Sequence, residues 1–379
     1  MKILLLGEYS RLHNSLKEGL VALGHEVVLV GTGDDFKRFP VDIDVSSSLE
    51  KNKFTRKIGI AVIKLTGVNI FKKEIYRKLR KITPKLKDFD VVQLINEDAF
   101  DIYPKDAMRF YKQVFQQNNK IFLSGCGDDY HVINYYNQQK MRYSILTPFF
   151  KNKSLKKQFD FSLKYLSKPY KELHDFLVQH IEAVIPSDMD YAIPYANFDK
   201  AMPMIPNPIN IDKIQVAKMK IDDKVNIFIG VNTLSYYKKG MDIALKALRR
   251  IETDFARQVS IVIAQNLPYD EYMQKYNDAH ILIDQLYSYD QGYNALEAMA
   301  RGKCVLTGAE KEFEAYYQLK NQVAVNILPD EEDVYRKLSD LIKNKQKIIE
   351  IGQNARVFIE KEHNYKKIAQ KYIDAWKVL

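Results

Sequence analysis

The segment YSYDQGYNALEAMARGKCVLTG, Tyr287 to Gly308, lies between two apolar runs and sets a carboxylate, Glu297, near the start of a helix-forming stretch. AHILIDQ before it and KCVLTG at its end are brief apolar runs bounded by polar residues or Gly, so each reads as a short buried strand. The unit is β-loop-α-β. Asn294 suits the N-cap, Ala295 to Ala300 favour helix, Arg301 suits the negative C-terminal end, and Gly302 suits the left-handed residue that stops it. With Asn294 as cap, Glu297 falls at the third helical position, where a glutamate also closes a capping box. One reading of Glu297 is therefore helix-start chemistry alone. The other follows from where such a helix points. In a doubly wound sheet, ligands bind outside the carboxyl ends of the strands, against helix N-termini whose free N–H groups and dipole attract phosphate. Gly292 lets backbone approach a ligand closely, and a carboxylate one turn into the helix can accept both hydroxyls of a ribose. On this reading the unit is a nucleotide site.

The rest of the chain has the same construction. KILLLG, EVVLVGTG, DVVQLIN, KIFLSGCG and EAVIPSD read as buried parallel strands of a first α/β domain, with the helix SRLHNSLKEGLVALGH ending near Gly24. Gly7 stands alone after the first strand, so no dinucleotide fingerprint follows it and a nicotinamide dehydrogenase is disfavoured. Pro203, Pro206 and Pro208 fall within AMPMIPNPINIDK and mark a domain boundary. A second α/β set begins at VNIFIGV and continues through GMDIALKALRRI, VSIVIAQ and YDEYMQKYN to the opening unit. The tail NYKKIAQKYIDAWKVL has amphipathic spacing and carries the single tryptophan, Trp376.

A length of 379 residues permits two domains with separate cores, and 46% hydrophobic with 28% charged residues is ordinary globular composition. Two cysteines, Cys126 and Cys304, support neither a disulfide framework nor a Cys metal site. No apolar run approaches the roughly 18 residues of a spanning helix and MKILLLGEYS is too short in its apolar part for a signal peptide, so a cytoplasmic protein is expected. The net charge of +10 is concentrated, because residues 51–87 carry thirteen Lys or Arg against one acid, Glu74. Apolar and aromatic residues are interleaved with those cations, as they are in a smaller cluster over residues 150–171. Such segments fit an anionic membrane face, where each cation contributes roughly 1 kcal/mol. The bland alternative is a solvated basic surface. No recognition helix, RNP signature or zinc spacing supports nucleic acid as the partner.

YSYDQGYNALEAMARGKCVLTG, YYKKGMDIALKAL, MIPNPINIDK and LLLGEYSRLHNSLKEGLVALGHEVVLV together resemble retaining glycosyltransferases of the GT-B fold, family 4, over nearly the whole chain. The resemblance implies two Rossmann-like doubly wound domains facing a cleft. Residues 1–205 would hold the acceptor, residues 206–363 the nucleotide sugar, and the helix 364–379 would cross back to the first domain. It implies that Glu297 binds ribose and that Lys239 faces the diphosphate, with Lys238 as the neighbouring alternative. Donor contacts are expected at Gly230, Asn232, Lys238, Lys239, Tyr289, Asp290, Gly292, Tyr293, Asn294, Ala295 and Glu297. Acceptor contacts are expected at Gly7, Glu8, Tyr9, His13, Glu97, Asp128, Asp129 and His131. A UDP or GDP sugar is the expected donor, a glycan or lipid-linked molecule the expected acceptor, and no cofactor or metal is expected.

Three departures accompany the resemblance. Tyr289 stands where the family usually has a glutamate eight positions before Glu297, with Asp290 beside it. GVNTLSYYKKG offers Asn232 and Thr233 where the family has an arginine. SGCGDDYH replaces a stretch that often holds a histidine, and there His131 or either of Asp128 and Asp129 can orient an acceptor hydroxyl or accept its proton, or the aspartates can simply build a turn and helix cap. A nucleotide-sugar epimerase of the same architecture and a catalytically silent nucleotide-sugar-binding scaffold are the competing functions.

Overall fold

The computed structural model describes residues 1–34, 39–216, 219–265 and 269–379. Among them are two wholly parallel sheets. The first has the order β3-β2-β1-β4-β5-β6, built from β1 (Lys2–Leu6), β2 (Glu26–Gly31), β3 (Ile43–Asp44), β4 (Val91–Leu94), β5 (Lys120–Gly125) and β6 (Ala183–Pro186). The second has the order β11-β10-β9-β7-β8, from β7 (Val225–Gly230), β8 (Val259–Ala264), β9 (Ile281–Ile283), β10 (Cys304–Thr307) and β11 (Val325–Asn326). Each is doubly wound, so each has a switch point: between β1 and β4 in the first sheet and between β7 and β9 in the second.

Near-continuous apolar strands follow from burial on both faces. In β1, Leu4 and Leu6 enter one core with Val92 and Leu94, while Ile3 and Leu5 enter another with Phe122 and Ile185. That second core is closed by the last helix, Tyr365–Val378, through Ile368, Tyr372, Ile373 and Trp376. The tail therefore does cross back to the first domain, as expected. It seats on the Leu12–Ala22 helix at Gly19, where a β-carbon would lie 2.4 Å from the Tyr365 carbonyl oxygen. Trp376 Nε1 donates to Gln93 Oε1 at 3.0 Å, which satisfies both buried polar groups.

The proline-bearing connection and the chain entering the last helix run side by side. Ile209 N donates to His363 O at 2.7 Å, and Tyr365 N donates to Ile209 O at 3.1 Å. The two passages between the domains are thus tied together at one place.

The basic segment folds into two helices, Lys53–Thr66 and Ile70–Ile82. The second is anchored by Phe71, Ile75 and Leu79, whereas Gly59 is the only buried residue of the first. Phe54, Ile58, Ala61 and Leu65 recur at helical spacing along one exposed stripe, with Phe54 73% and Leu65 86% accessible. Lys53, Lys57 and Lys64 form a row beside it. An amphipathic helix with its apolar stripe turned outward is the reverse of core packing.

Candidate functional site

The helix anticipated in the opening segment spans Tyr293–Ala300, starting two residues earlier than expected. Gly292, not Asn294, is its N-cap, and no side chain caps it. Glu297 is therefore the fifth helical residue and closes no capping box, which removes the helix-start explanation for it. The difference arises because Gly292, in extended conformation at φ −71 and ψ 164, lets the chain enter the helix directly. Gly302 does adopt the left-handed conformation, at φ +79, and Lys303 N donates to Ala298 O at 3.1 Å, completing the stop. Glu297 is half-buried beside Tyr293, one turn back on the same face.

This helix begins at the second switch point. Gly230 ends β7, and Asp284 and Gln285 follow β9. Lys239 Nζ lies 2.8 Å from Asp284 Oδ1. Asp284 is 5% exposed, and its other oxygen has no hydrogen-bond partner. A β-carbon on Gly292 would lie 3.1 Å from that oxygen, so Lys239, Asp284 and the helix N-terminus converge. Unpaired helix N–H groups beside an ammonium form an anion site. Asn232 is exposed and accepts from Leu234 N at 2.9 Å as the cap of a short turn. Asp284 was present in the sequence as AHILIDQ; a charged residue closing an apolar strand was its only local signal.

The acceptor-side candidates divide. Gly7 and Glu8 lie at the first switch point, with Tyr9 bridging to the neighbouring strand end through a 2.6 Å bond to Asp98 O. Glu8 Oε2 accepts from Asn14 N at 2.8 Å and Asn14 Nδ2 at 2.7 Å, while Oε1 is buried without a partner. Burial pushes its carboxyl up to about 8, against the lowering effect of the Asn14 bonds. His13 is fully buried with Nδ1 on Gly7 O at 2.8 Å, and burial pulls its pKa down to about 3, so it is a neutral packing residue.

Glu97 is fully buried and paired with His174. Asp129 is likewise fully buried: it caps the Tyr130–Asn137 helix by accepting from Val132 N at 2.7 Å, and it takes the Tyr195 hydroxyl at 2.8 Å. The turn-and-cap alternative describes Asp129. His131 has Nε2 2.9 Å from Pro194 O and stacks on Tyr195 with centroids 4.5 Å apart. The bonds of Glu97, Asp129 and His131 to His174, Tyr130, Val132, Tyr195 and Pro194 all lie within the first domain. Asp128 differs, because it takes the Ser162 hydroxyl and lies 3.8 Å from Lys238 Nζ of the second domain.

The carboxyl edges of the two sheets meet through several such contacts. The Tyr293 hydroxyl lies 2.6 Å from Ser15 Oγ and donates to Pro208 O at 2.8 Å. Lys238 Nζ donates to Ser162 Oγ at 2.7 Å, which separates its role from that of Lys239. Tyr289, at the position of the missing glutamate, accepts from Arg142 N at 2.9 Å, and the Arg142 guanidinium stands 4.6 Å from its ring centroid while pairing with Glu310 and Glu312. Asp290 accepts from Met189 N at 3.1 Å, and Asp190 accepts from Tyr289 N at 2.9 Å. Burial raises the Asp188, Asp190 and Asp290 carboxyls, and the proximity of the other two raises Asp188 further. Tyr289 and Asp290 therefore lie in the domain seam. Sequence reasoning missed Arg142, Ser15 and Asp190 because their partners lie 98 or more residues away.

Residues 242–374 match the model of the glycosyl transferase-like family. No curated protein matches the sequence significantly. Among solved structures, a sucrose-phosphate synthase from Thermosynechococcus elongatus is similar at TM-score 0.62 and 13% identity, covering 100% of this chain and 98% of that one. HepE from Anabaena, in complex with UDP and glucose, aligns at TM-score 0.61 and 12% identity over 100% of both chains. A Listeria monocytogenes protein described as a UDP-N-acetylglucosamine 2-epimerase aligns at TM-score 0.54 and 13% identity over 99% and 95%. The chain has the GT-B fold, and the match to the glycosyl transferase-like family begins in the second domain and runs into the last helix.

Proposed function

We propose that the protein is a retaining glycosyltransferase that moves a sugar from a nucleoside diphosphate to a glycan or lipid-linked acceptor. The observation carrying this reading is the convergence of Lys239 and the Gly292-capped helix at the switch point of the second sheet, with Glu297 one turn along. The bond between the anomeric carbon and the phosphate oxygen breaks, and the acceptor oxygen bonds to that carbon from the same face. The acceptor proton passes to the departing phosphate, so no protein base is demanded. Charge builds on the leaving diphosphate, where a fixed ammonium and aligned N–H groups stabilise it more than in the ground state. Lys239 does this work, Glu297 holds the ribose, and no metal is assigned. Transfer that chelator abolishes and magnesium restores would overturn the metal-free assignment.

A thermal-shift screen of UDP, GDP, CDP, ADP and TDP tests the site, with UDP first because HepE was crystallised with it. At 100 times Kd a ligand stabilises the folded state by about 2.7 kcal/mol. One nucleotide should raise the melting temperature of the wild type and fail to raise that of Glu297→Ala. An equal shift in both would sink the ribose assignment. Conversion of the sugar nucleotide with no acceptor present would favour the epimerase instead.

The Lys53–Thr66 helix supports a membrane-peripheral enzyme, since its outward apolar stripe and lysine row fit an anionic bilayer surface. No helix among the described residues is long and apolar enough to cross a membrane. At about 1 kcal/mol per cation, changing Lys53, Lys57 and Lys64 to Gln should weaken flotation with vesicles rich in phosphatidylglycerol by roughly two orders of magnitude. Unchanged flotation would refute the membrane assignment.

A further inference from the structure

We infer that Asp284 and Gln291 read the hydroxyl groups of the donor sugar, with Asp284 the specificity-determining carboxylate. This rests on the proposed donor site and deepens it.

Two buried acceptors on the loop between β9 and the Tyr293–Ala300 helix have no donor, and one of them belongs to Asp284, the carboxylate paired with Lys239. Asp284 Oδ2 has no partner and faces Gly292, and Gln291 Oε1 has none either, although Gln291 Nε2 donates to Gly308 O at 3.1 Å. Both side chains are at least nine-tenths buried. Native proteins satisfy nearly all buried polar atoms, so two orphans on one loop mark a place where a ligand completes the bonding. An acceptor without a donor calls for a group that brings hydrogens. Phosphate brings none, whereas a sugar brings several hydroxyls.

The surrounding carboxylates are occupied. Asp290 takes Met189 N and Gln291 N, Asp190 takes Ser288 and Tyr289 N, and Glu310 takes Tyr143, Arg142 and Asn326. Tyr289 has no carboxylate to offer, and its hydroxyl accepts the Arg142 amide. Asp284 alone among these keeps a free oxygen, and the sheet holds it in place: its N–H donates to Leu306 O at 3.0 Å. A diphosphate held by Lys239 and the helix N-terminus places the sugar one bond beyond its outer phosphate. Lys239 now pairs with Asp284 Oδ1, so turning to the phosphate releases that oxygen too, and the carboxylate can accept two adjacent hydroxyls.

Affinity for the bare nucleoside diphosphate and for its sugar, measured by calorimetry on the wild type, Asp284→Asn and Lys239→Ala, tests this. Asp284→Asn is nearly isosteric, and an unchanged circular dichroism spectrum shows that it folds. It should weaken the sugar nucleotide about tenfold to a hundredfold relative to the bare diphosphate, the range for hydrogen bonds to a charged group. Bare diphosphate should bind as before or more tightly, because Lys239 loses a competing anion. Lys239→Ala should weaken both ligands alike. Equal losses for both ligands in Asp284→Asn would show that Asp284 only positions Lys239, and would overturn the inference while leaving the donor site standing. A preference that vanishes in chelator would assign the free oxygens to a cation and overturn it as well. Failure of the wild type to bind any nucleoside diphosphate would overturn the donor site itself and the inference with it.

Discussion

Lys239→Ala is expected to lower kcat/KM for transfer or donor hydrolysis by about a hundredfold to a thousandfold, the loss found when one preorganised group that stabilises developing negative charge is removed. The variant also strands Asp284, whose carboxylate is 5% exposed and now pairs with Lys239 at 2.8 Å. Some loss of thermal stability should accompany the loss of rate, because an unpaired buried charge is destabilising. The double variant Lys239→Ala/Asp284→Asn separates the two effects. Its melting temperature should recover toward that of the wild type while its rate stays low. Lys238→Ala is the matched control, since Lys238 bonds to Ser162 and approaches Asp128 across the seam. A larger rate loss in Lys238→Ala than in Lys239→Ala would exchange the roles of the two lysines. A double variant that recovered both stability and rate would show that Lys239 acts only on the fold.

Trp376→Ala should cost about 3–5 kcal/mol of stability, the usual range for deleting a buried tryptophan. The side chain is 1% exposed, packs with Phe122 and Tyr372 beneath the first sheet, and donates to Gln93. Set against total stabilities of about 5–15 kcal/mol, this is a large fraction. Urea unfolding followed by circular dichroism measures it; indole fluorescence is unsuitable because Trp376 is the single tryptophan. Trp376→Phe keeps an aromatic ring but leaves Gln93 Oε1 without its donor, and should cost about 1–3 kcal/mol. A loss below about 1 kcal/mol for the alanine variant would mean that the last helix contributes little to closing the first domain.

The strands of both sheets are legible in the sequence because parallel strands buried on both faces must be apolar throughout. KILLLG, DVVQLIN and VNIFIGV satisfy that requirement and little else. The two-residue strands at Ile43–Asp44 and Val325–Asn326 were not legible, being too short for a pattern to repeat. The Tyr293–Ala300 helix was expected where it occurs, but its start was misplaced. Asn294 has the chemistry of a cap, while the entry of the chain is set by the extended conformation of Gly292.

The placement of Lys239, just before the Met241–Asp254 helix, and of Gly292 and Glu297, at the start of the Tyr293–Ala300 helix, was legible because helix starts are marked by local spacing. Glu97, Asp129 and His131 have equally suitable chemistry for a site, but their partners, His174, Tyr195 and Pro194, are brought to them by distant segments and occupy them with packing. The bond between the Tyr289 hydroxyl and the Arg142 amide joins residues 147 apart in the chain, so it was not legible in the sequence.

By itself, then, the sequence determined most of the secondary elements, their alternation of strand and helix and the place of the Tyr293–Ala300 helix, because hydrophobic period and turn chemistry are local properties of a chain, whereas the doubly wound arrangement was what the resemblance implied. Which polar side chains remain open to a ligand was decided only by the tertiary structure. A carboxylate is available only if no donor from another part of the chain reaches it. That condition leaves an oxygen of Asp284 free and engages both oxygens of Asp129.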